Sequence, residues 1–289
     1  MHKVREVKPT TFTWVFAHLI HWVGFFIALN SNGVFTFYIM PFMQLDTLPH
    51  VNKNPFFSLP DLGILPKTQE KLAFNTALIV MFWVQHSTMS RSWFKNMMVS
   101  IFSDQYEFFQ KALYVFMSGI CLTIVLLGCQ PINEVIVFEG FNSDLNFKIA
   151  VAVVVIGQYI FYQTMYDLIL SDVFGFDHFR HFKKDGTSFP VPFQMKKMSR
   201  VAFLSRHPLM TGFYITFIGA CLYGPISLWK AVFLVQNVIA IRLGIGFEER
   251  QLKREIGNGF LEFCKIVPNL VIPDIGALFY SSKQIADLK

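Results

Sequence analysis

The chain has 289 residues, of which 53% are hydrophobic and only 15% charged, and its mean hydropathy is +0.44. A soluble domain carries about a quarter charged residues, so this chain cannot cover a water-facing surface with polar groups, and its 34 phenylalanines suit packing among helices and acyl chains. The net charge of +6 falls in the gaps between apolar stretches and not over a face, which makes nucleic-acid binding the weaker reading.

A spanning helix needs about 20 mostly apolar residues. The first such stretch runs from about Phe12 to Leu29 and can extend through Val34–Met43, although Asn30-Ser31-Asn32-Gly33 is a break signal between the two pieces. It follows Met1-His2-Lys3-Val4-Arg5 without a small-x-small cleavage site, so it is expected to be retained as a spanning helix. Further stretches cover about Leu72–Met89, Ala112–Cys129 and Phe147–Leu170. After a polar segment come Leu209–Tyr223 and Leu228–Ile245, separated only by Gly224-Pro225-Ile226-Ser227, a connection short enough to make them an antiparallel hairpin. The expected fold class is therefore all-α, a multi-pass membrane bundle of about six spans in one membrane domain.

Lys and Arg set the expected orientation. Lys3, Arg5 and Lys8 precede the first stretch; Arg91, Lys95 and Lys111 follow the second; a basic group from Arg180 to Arg206 follows the fourth; Arg250, Lys253, Arg254 and Lys265 follow the sixth. The segment Gln130–Asn146 has acids and no basic residue. With six spans this puts both termini on the cytoplasmic side. The segment Glu248–Val267 combines a charged start with Leu252, Ile256, Phe260 and Phe263 at helical spacing, which describes an amphipathic helix lying on the lipid bilayer, ended by Pro268 and Pro273.

Polar groups at the rim of a spanning helix are expensive, so each is a functional candidate. Gln85-His86-Ser87 with Arg91 ends the second stretch. Ser205-Arg206-His207-Pro208 opens the fifth, and a Pro in the first helical turn puts the Arg-His pair at the positive end of a helix dipole, where a carboxylate or phosphate is attracted. Glu248-Glu249-Arg250 follows the sixth; two successive acids point apart, so one of them at most reaches a shared pocket. The hairpin puts these last two clusters on one membrane side. Cys121, Cys129, Cys221 and Cys264 lack C-x-x-C spacing, and His178 and His181 beside Asp177 lack a third ligand, so neither a disulfide nor a metal site is expected.

Arg206-His207-Pro208-Leu209-Met210-Thr211-Gly212, then Glu248-Glu249-Arg250-Gln251-Leu252, then Gly257 through Phe260 and Val267-Pro268, resemble the C-terminal signature of the isoprenylcysteine carboxyl methyltransferase superfamily. Upstream, Gln85-His86-Ser87 through Lys95 and Phe174-Gly175 narrow the resemblance to the branch that holds nurim and the membrane-bound methanethiol S-methyltransferases. The resemblance covers about residues 82 to 273. It implies an S-adenosylmethionine-dependent methyltransferase acting on a small thiol, with Arg206, His207, Pro208, Gly212, Glu248, Glu249 and Arg250 in the cofactor pocket and His86, Gln85, Ser87 and Arg91 facing the thiol. The alternative it implies is a nurim-like, non-catalytic protein. The membrane would be the inner nuclear membrane or endoplasmic reticulum in a eukaryote and the cytoplasmic membrane in a bacterium. Met210 stands where the family pattern has Tyr, and Gln110-Lys111-Ala112 where the methyltransferases have E-R-S.

Overall fold

The structure, a computed structural model, describes residues 9–39, 65, 67–103, 105–130, 132, 135–141, 143–170 and 199–275. The expectations for Lys3, Arg5 and Lys8, for Met40–Met43 at the end of the first stretch, for Phe174-Gly175, for Asp177, His178 and His181 and for most of the basic group from Arg180 to Arg206 lie outside the described residues.

Eight α-helices account for nearly all of the described backbone: α1 Thr11–Ile39, α2 Thr68–Met89, α3 Ser92–Phe102, α4 Gln105–Gly128, α5 Asp144–Leu170, α6 Pro208–Cys221, α7 Leu228–Ile256 and α8 Asn258–Ile266. The fold is an all-α membrane bundle. Among the described residues, four helices hold stretches long and apolar enough to cross a bilayer, Thr11–Ala28, Phe108–Gly128, Asp144–Asp167 and Leu228–Arg254. To these the expected six spans add α2, whose 22 residues reach about 33 Å, and α6, whose 14 apolar residues reach about 21 Å of a hydrocarbon core about 30 Å thick.

Two helix pairs pack so closely that glycine is required between them. A Cβ on Gly24 of α1 would lie 2.6 Å from the Phe116 Cα of α4, and one on Gly212 of α6 would lie 2.7 Å from the Gly157 carbonyl oxygen of α5. In lipid, where water drives no helix together, such small-residue contacts and interhelical hydrogen bonds supply the association. Gln158 Nε2 of α5 donates to Thr216 Oγ1 of α6 at 2.9 Å for this purpose. Asn75 of α2 clamps the end of α4, its Oδ1 accepting from Gln130 N at 2.7 Å and its Nδ2 donating to Gln130 O at 2.8 Å.

The structure corrects two expectations and adds one feature. α1 runs unbroken through Asn30-Ser31-Asn32-Gly33, because in a bilayer a helix satisfies its backbone internally and that outweighs the local preference for a turn. The charged segment from Glu248 to Ile256 continues α7 and is not the start of a surface helix; the chain turns only at Gly257, whose φ of +64° is a glycine conformation, and the separate amphipathic helix is the shorter α8. The link between α6 and α7 holds a short strand, Ile226–Ser227 (β2), antiparallel to Ile136–Phe138 (β1), which ties the hairpin to the α4–α5 connection.

Candidate functional site

The last turn of α2 points His86 at α4. Tyr114 Oη lies 2.7 Å from His86 Nε2 and 3.1 Å from Nδ1, and Ser118 Oγ lies 3.1 Å from Nδ1. Tyr114 and Ser118 are four residues apart, one above the other on the same helical face. A hydroxyl both donates and accepts, so a neutral imidazole is satisfied here in either tautomer and can exchange one for the other without moving its ring. Neither hydroxyl was singled out in the sequence. The available signal was weak: two polar side chains at i, i+4 in the mostly apolar stretch of α4.

At the start of α6, Pro208 takes the first helical position and His207 the cap. Arg206 Nε lies 2.7 Å from Glu249 Oε1, an ion pair by distance whose N–H is not aimed for a hydrogen bond. His207 Nε2 lies 3.3 Å from the same oxygen, and His207 Nδ1 lies 3.6 Å from Glu248 Oε2. The buried His207 imidazole meets both acids. This cluster ties the start of α6 to α7.

The polypeptide after α8 forms a strap across that junction. Arg206 N donates to Asn269 O at 2.9 Å, His207 N to Leu270 O at 3.2 Å, and Asp274 N to Leu204 O at 2.7 Å. Thr211 Oγ1 donates to Val271 O at 2.7 Å, and Arg206 Nη1 to Pro268 O at 3.2 Å. The amides of Arg206 and His207 are thus occupied and are not available to the anion expected at the Arg-His pair. With Thr211 N bonded to His207 O and Pro208 lacking an N–H, the orphan donors of the first turn are Leu209 and Met210.

Both residues line a cavity of about 650 Å³ enclosed mainly by α2, α4, α5, α6 and α7. His86, Ser87 and Arg91 enter from α2 and its end, Tyr114 and Ser118 from α4, Phe161 and Met165 from α5, Phe213 from α6, and Asn237, Glu248 and Gln251 from α7. A mostly apolar wall with a few convergent polar groups and a volume within about 300–1,000 Å³ is the form of a small-molecule site. Met210, Gln110 and Lys111, where the chain departs from the family pattern, line it too.

The sequence candidates divide around this cavity. His86, Ser87, Arg91 and Glu248 line it. Gln85 does not; its amide Nε2 donates to Met89 Sδ at 2.9 Å on its own helix. Arg206, His207, Pro208 and Glu249 stand behind the wall as the α6–α7 junction. Gly212 faces α5 as a packing glycine. Arg250 turns away, its guanidinium 4.6 Å from the centroid of the Phe247 ring and its Nε donating to Gly246 O at 3.0 Å.

With this geometry in hand, comparison with known proteins gives a consistent set of relatives. Over 215 residues the chain is 26% identical to methanethiol S-methyltransferase 2 of Bradyrhizobium diazoefficiens, an alignment covering 73% of this chain and 77% of that protein. It is 24% identical to methanethiol S-methyltransferase of Crocosphaera subtropica over 214 residues, 73% of this chain and 79% of that one. The corresponding protein of Pseudomonas deceptionensis is 25% identical over 208 residues, 71% and 73% of the two chains. The chain thus has relatives in the branch that its motifs resemble. No protein-family profile and no solved structure matches it.

Proposed function

We propose that this chain is a membrane-bound, S-adenosylmethionine-dependent methyltransferase that methylates a small thiol inside the cavity. The observation that carries the proposal is that a hydrogen-bonded imidazole, a carboxylate and Leu209 and Met210, whose amides begin a helix, all line one cavity. The names of the relatives point to the same chemistry.

The donor fits the residues present. The orphan amides of Leu209 and Met210 suit the carboxylate of its amino-acid portion, Glu248 suits its ammonium group, and the apolar wall suits the remainder. When bound, S-adenosylmethionine supplies a methyl group on a positively charged sulfur. The protein's own task is then alignment, exclusion of water and removal of the thiol proton. A cysteine-type thiol has a pKa of about 8.5 and is only a few per cent ionised at pH 7, so a base matters. The thiol displaces the hydroxyl from one ring nitrogen of His86 and gives that nitrogen its proton, while the hydroxyl on the other nitrogen accepts the ring N–H and holds the imidazole in place. Arg206, His207 and Glu249 hold the start of α6 against α7 and thereby fix both the open amides and Glu248.

Calorimetry of S-adenosylmethionine binding to the purified full chain tests the donor assignment. Arg206→Ala, His207→Ala and Glu249→Ala release the start of α6, which positions the Leu209 and Met210 amides and Glu248, and should each weaken binding by about 1.5 kcal/mol, the size of one lost hydrogen bond between those groups and the charged donor and roughly tenfold in Kd. No binding by the unaltered chain, or unchanged affinity in all three variants, would leave the non-catalytic reading ahead.

A further inference from the structure

Between α2 and α7, on the outer side of the wall they share with the cavity, runs a second hollow of about 520 Å³. Val80 and Val84 of α2 and Ile239 and Leu243 of α7 line it and are exposed. It follows α7 from Gln236 to Phe247, about 16 Å at 1.5 Å per residue, which matches one leaflet of a hydrocarbon core about 30 Å thick. At Gly244 a Cβ would meet nothing within 4 Å, so this helix glycine answers no packing demand from the protein.

One end of the groove is charged. The Arg91 guanidinium stands 4.4 Å and that of Arg250 4.6 Å from the centroid of the Phe247 ring, which bounds their central carbons to within about 9 Å of each other. Among the described residues neither has a carboxylate partner: the neighbouring acids are engaged elsewhere, Glu248 toward His207 and Glu249 with Arg206 and His207. Two like charges gathered on one aromatic ring, at the end of an apolar groove one leaflet long, match an amphiphile with an anionic head.

We propose that this groove binds one anionic phospholipid, its phosphate between Arg91 and Arg250 and an acyl chain along the groove. The site is separate from the methyl-transfer reading and does not depend on it. Because Ile79, Trp83, Ser87, Arg91 and Gly244 line both hollows, the acyl chain backs the outer wall of the cavity and keeps water from it. The site also accounts for Arg250, which the cavity leaves unused.

Native mass spectrometry of the full chain, purified in detergent and exposed to equal amounts of phosphatidylglycerol and phosphatidylcholine, tests this. One phosphatidylglycerol should be retained in preference, on the order of tenfold, from two basic side chains near a membrane surface. The pair Arg91→Gln and Arg250→Gln should abolish the preference, while the exposed control pair Lys253→Gln and Arg254→Gln should keep it. Ala240→Phe, which fills the groove and leaves both arginines, should prevent retention, and it serves if the arginine pair fails to fold. Equal retention of the two lipids, or an equal loss from the control pair, would overturn the proposal. Release of the lipid by millimolar inorganic phosphate would do the same, since it would show an anion site without a chain site.

Discussion

Glu249→Ala is the perturbation whose effect the structure constrains best. The carboxylate faces Arg206 Nε at 2.7 Å and His207 Nε2 at 3.3 Å, and the side chains of the three residues are 25%, 18% and 6% exposed. Breaking a fully buried pair from one side costs about 3–5 kcal/mol, because a charge is left without compensation, whereas exposed pairs are worth about 0–1 kcal/mol. Glu249 is a quarter exposed and Arg206 keeps its bond to the Pro268 carbonyl, so the expected loss falls between, at about 2–3 kcal/mol. For a chain of this size each kcal/mol moves the midpoint by about 2–4 °C, which gives a drop of about 4–12 °C. Size-exclusion chromatography of heated samples in detergent reads that midpoint. Glu262→Ala is the control: its partner Lys265 is equally close at 2.7 Å, but the two side chains are 65% and 72% exposed on one helix, where such a pair is worth about 0.3–0.5 kcal/mol, and the midpoint should stay within about 2 °C. A Glu249→Ala midpoint no lower than that of the control would refute the view that this cluster holds α6 to α7.

Three further outcomes follow from the same structure. His86→Ala should lower the methylation rate at pH 7 on the order of a hundredfold, with partial recovery as pH rises toward the thiol pKa of about 8.5 and the thiolate forms unaided; a flat ratio of variant to native rate across pH would refute its role as base. Gly212→Ala forces a Cβ to 2.7 Å from the Gly157 carbonyl and should destabilise by about 1–3 kcal/mol, whereas Gly244→Ala meets open space and should stabilise by about 0.5–1 kcal/mol, both read as thermal midpoints. A cysteine placed at Val137 and one at Asn258 should be labelled from opposite sides of the membrane; labelling from the same side would contradict six spans with both termini cytoplasmic.

The apolar stretches were legible because a bilayer demands length, and length is visible in a sequence; α5 and α6 begin within three residues of their expected starts. α3 was not, since Ser92–Phe102 is too short to span and directly follows a helix end. The continuation of α7 to Ile256 was hidden by its charges, which read equally well as a surface helix, and only the φ of Gly257 decides where the chain turns. At the site, His86, Arg206, His207 and the two acids were visible as polar groups at helix rims. Tyr114 and Ser118 were not, because their value lies in meeting His86 from another helix, 28 and 32 residues away. The strap was invisible for a related reason: Asn269 and Leu270 act through backbone carbonyls, which every residue possesses.

The most direct measurement is transfer of labelled methyl from S-adenosylmethionine to a panel of small thiols by the full chain reconstituted in liposomes. The expected result is a methyl thioether product from at least one thiol, lost on His86→Ala at pH 7 and weakened through donor affinity on Glu249→Ala. No transfer to any thiol, from protein shown to bind the donor, would contradict small-thiol methylation.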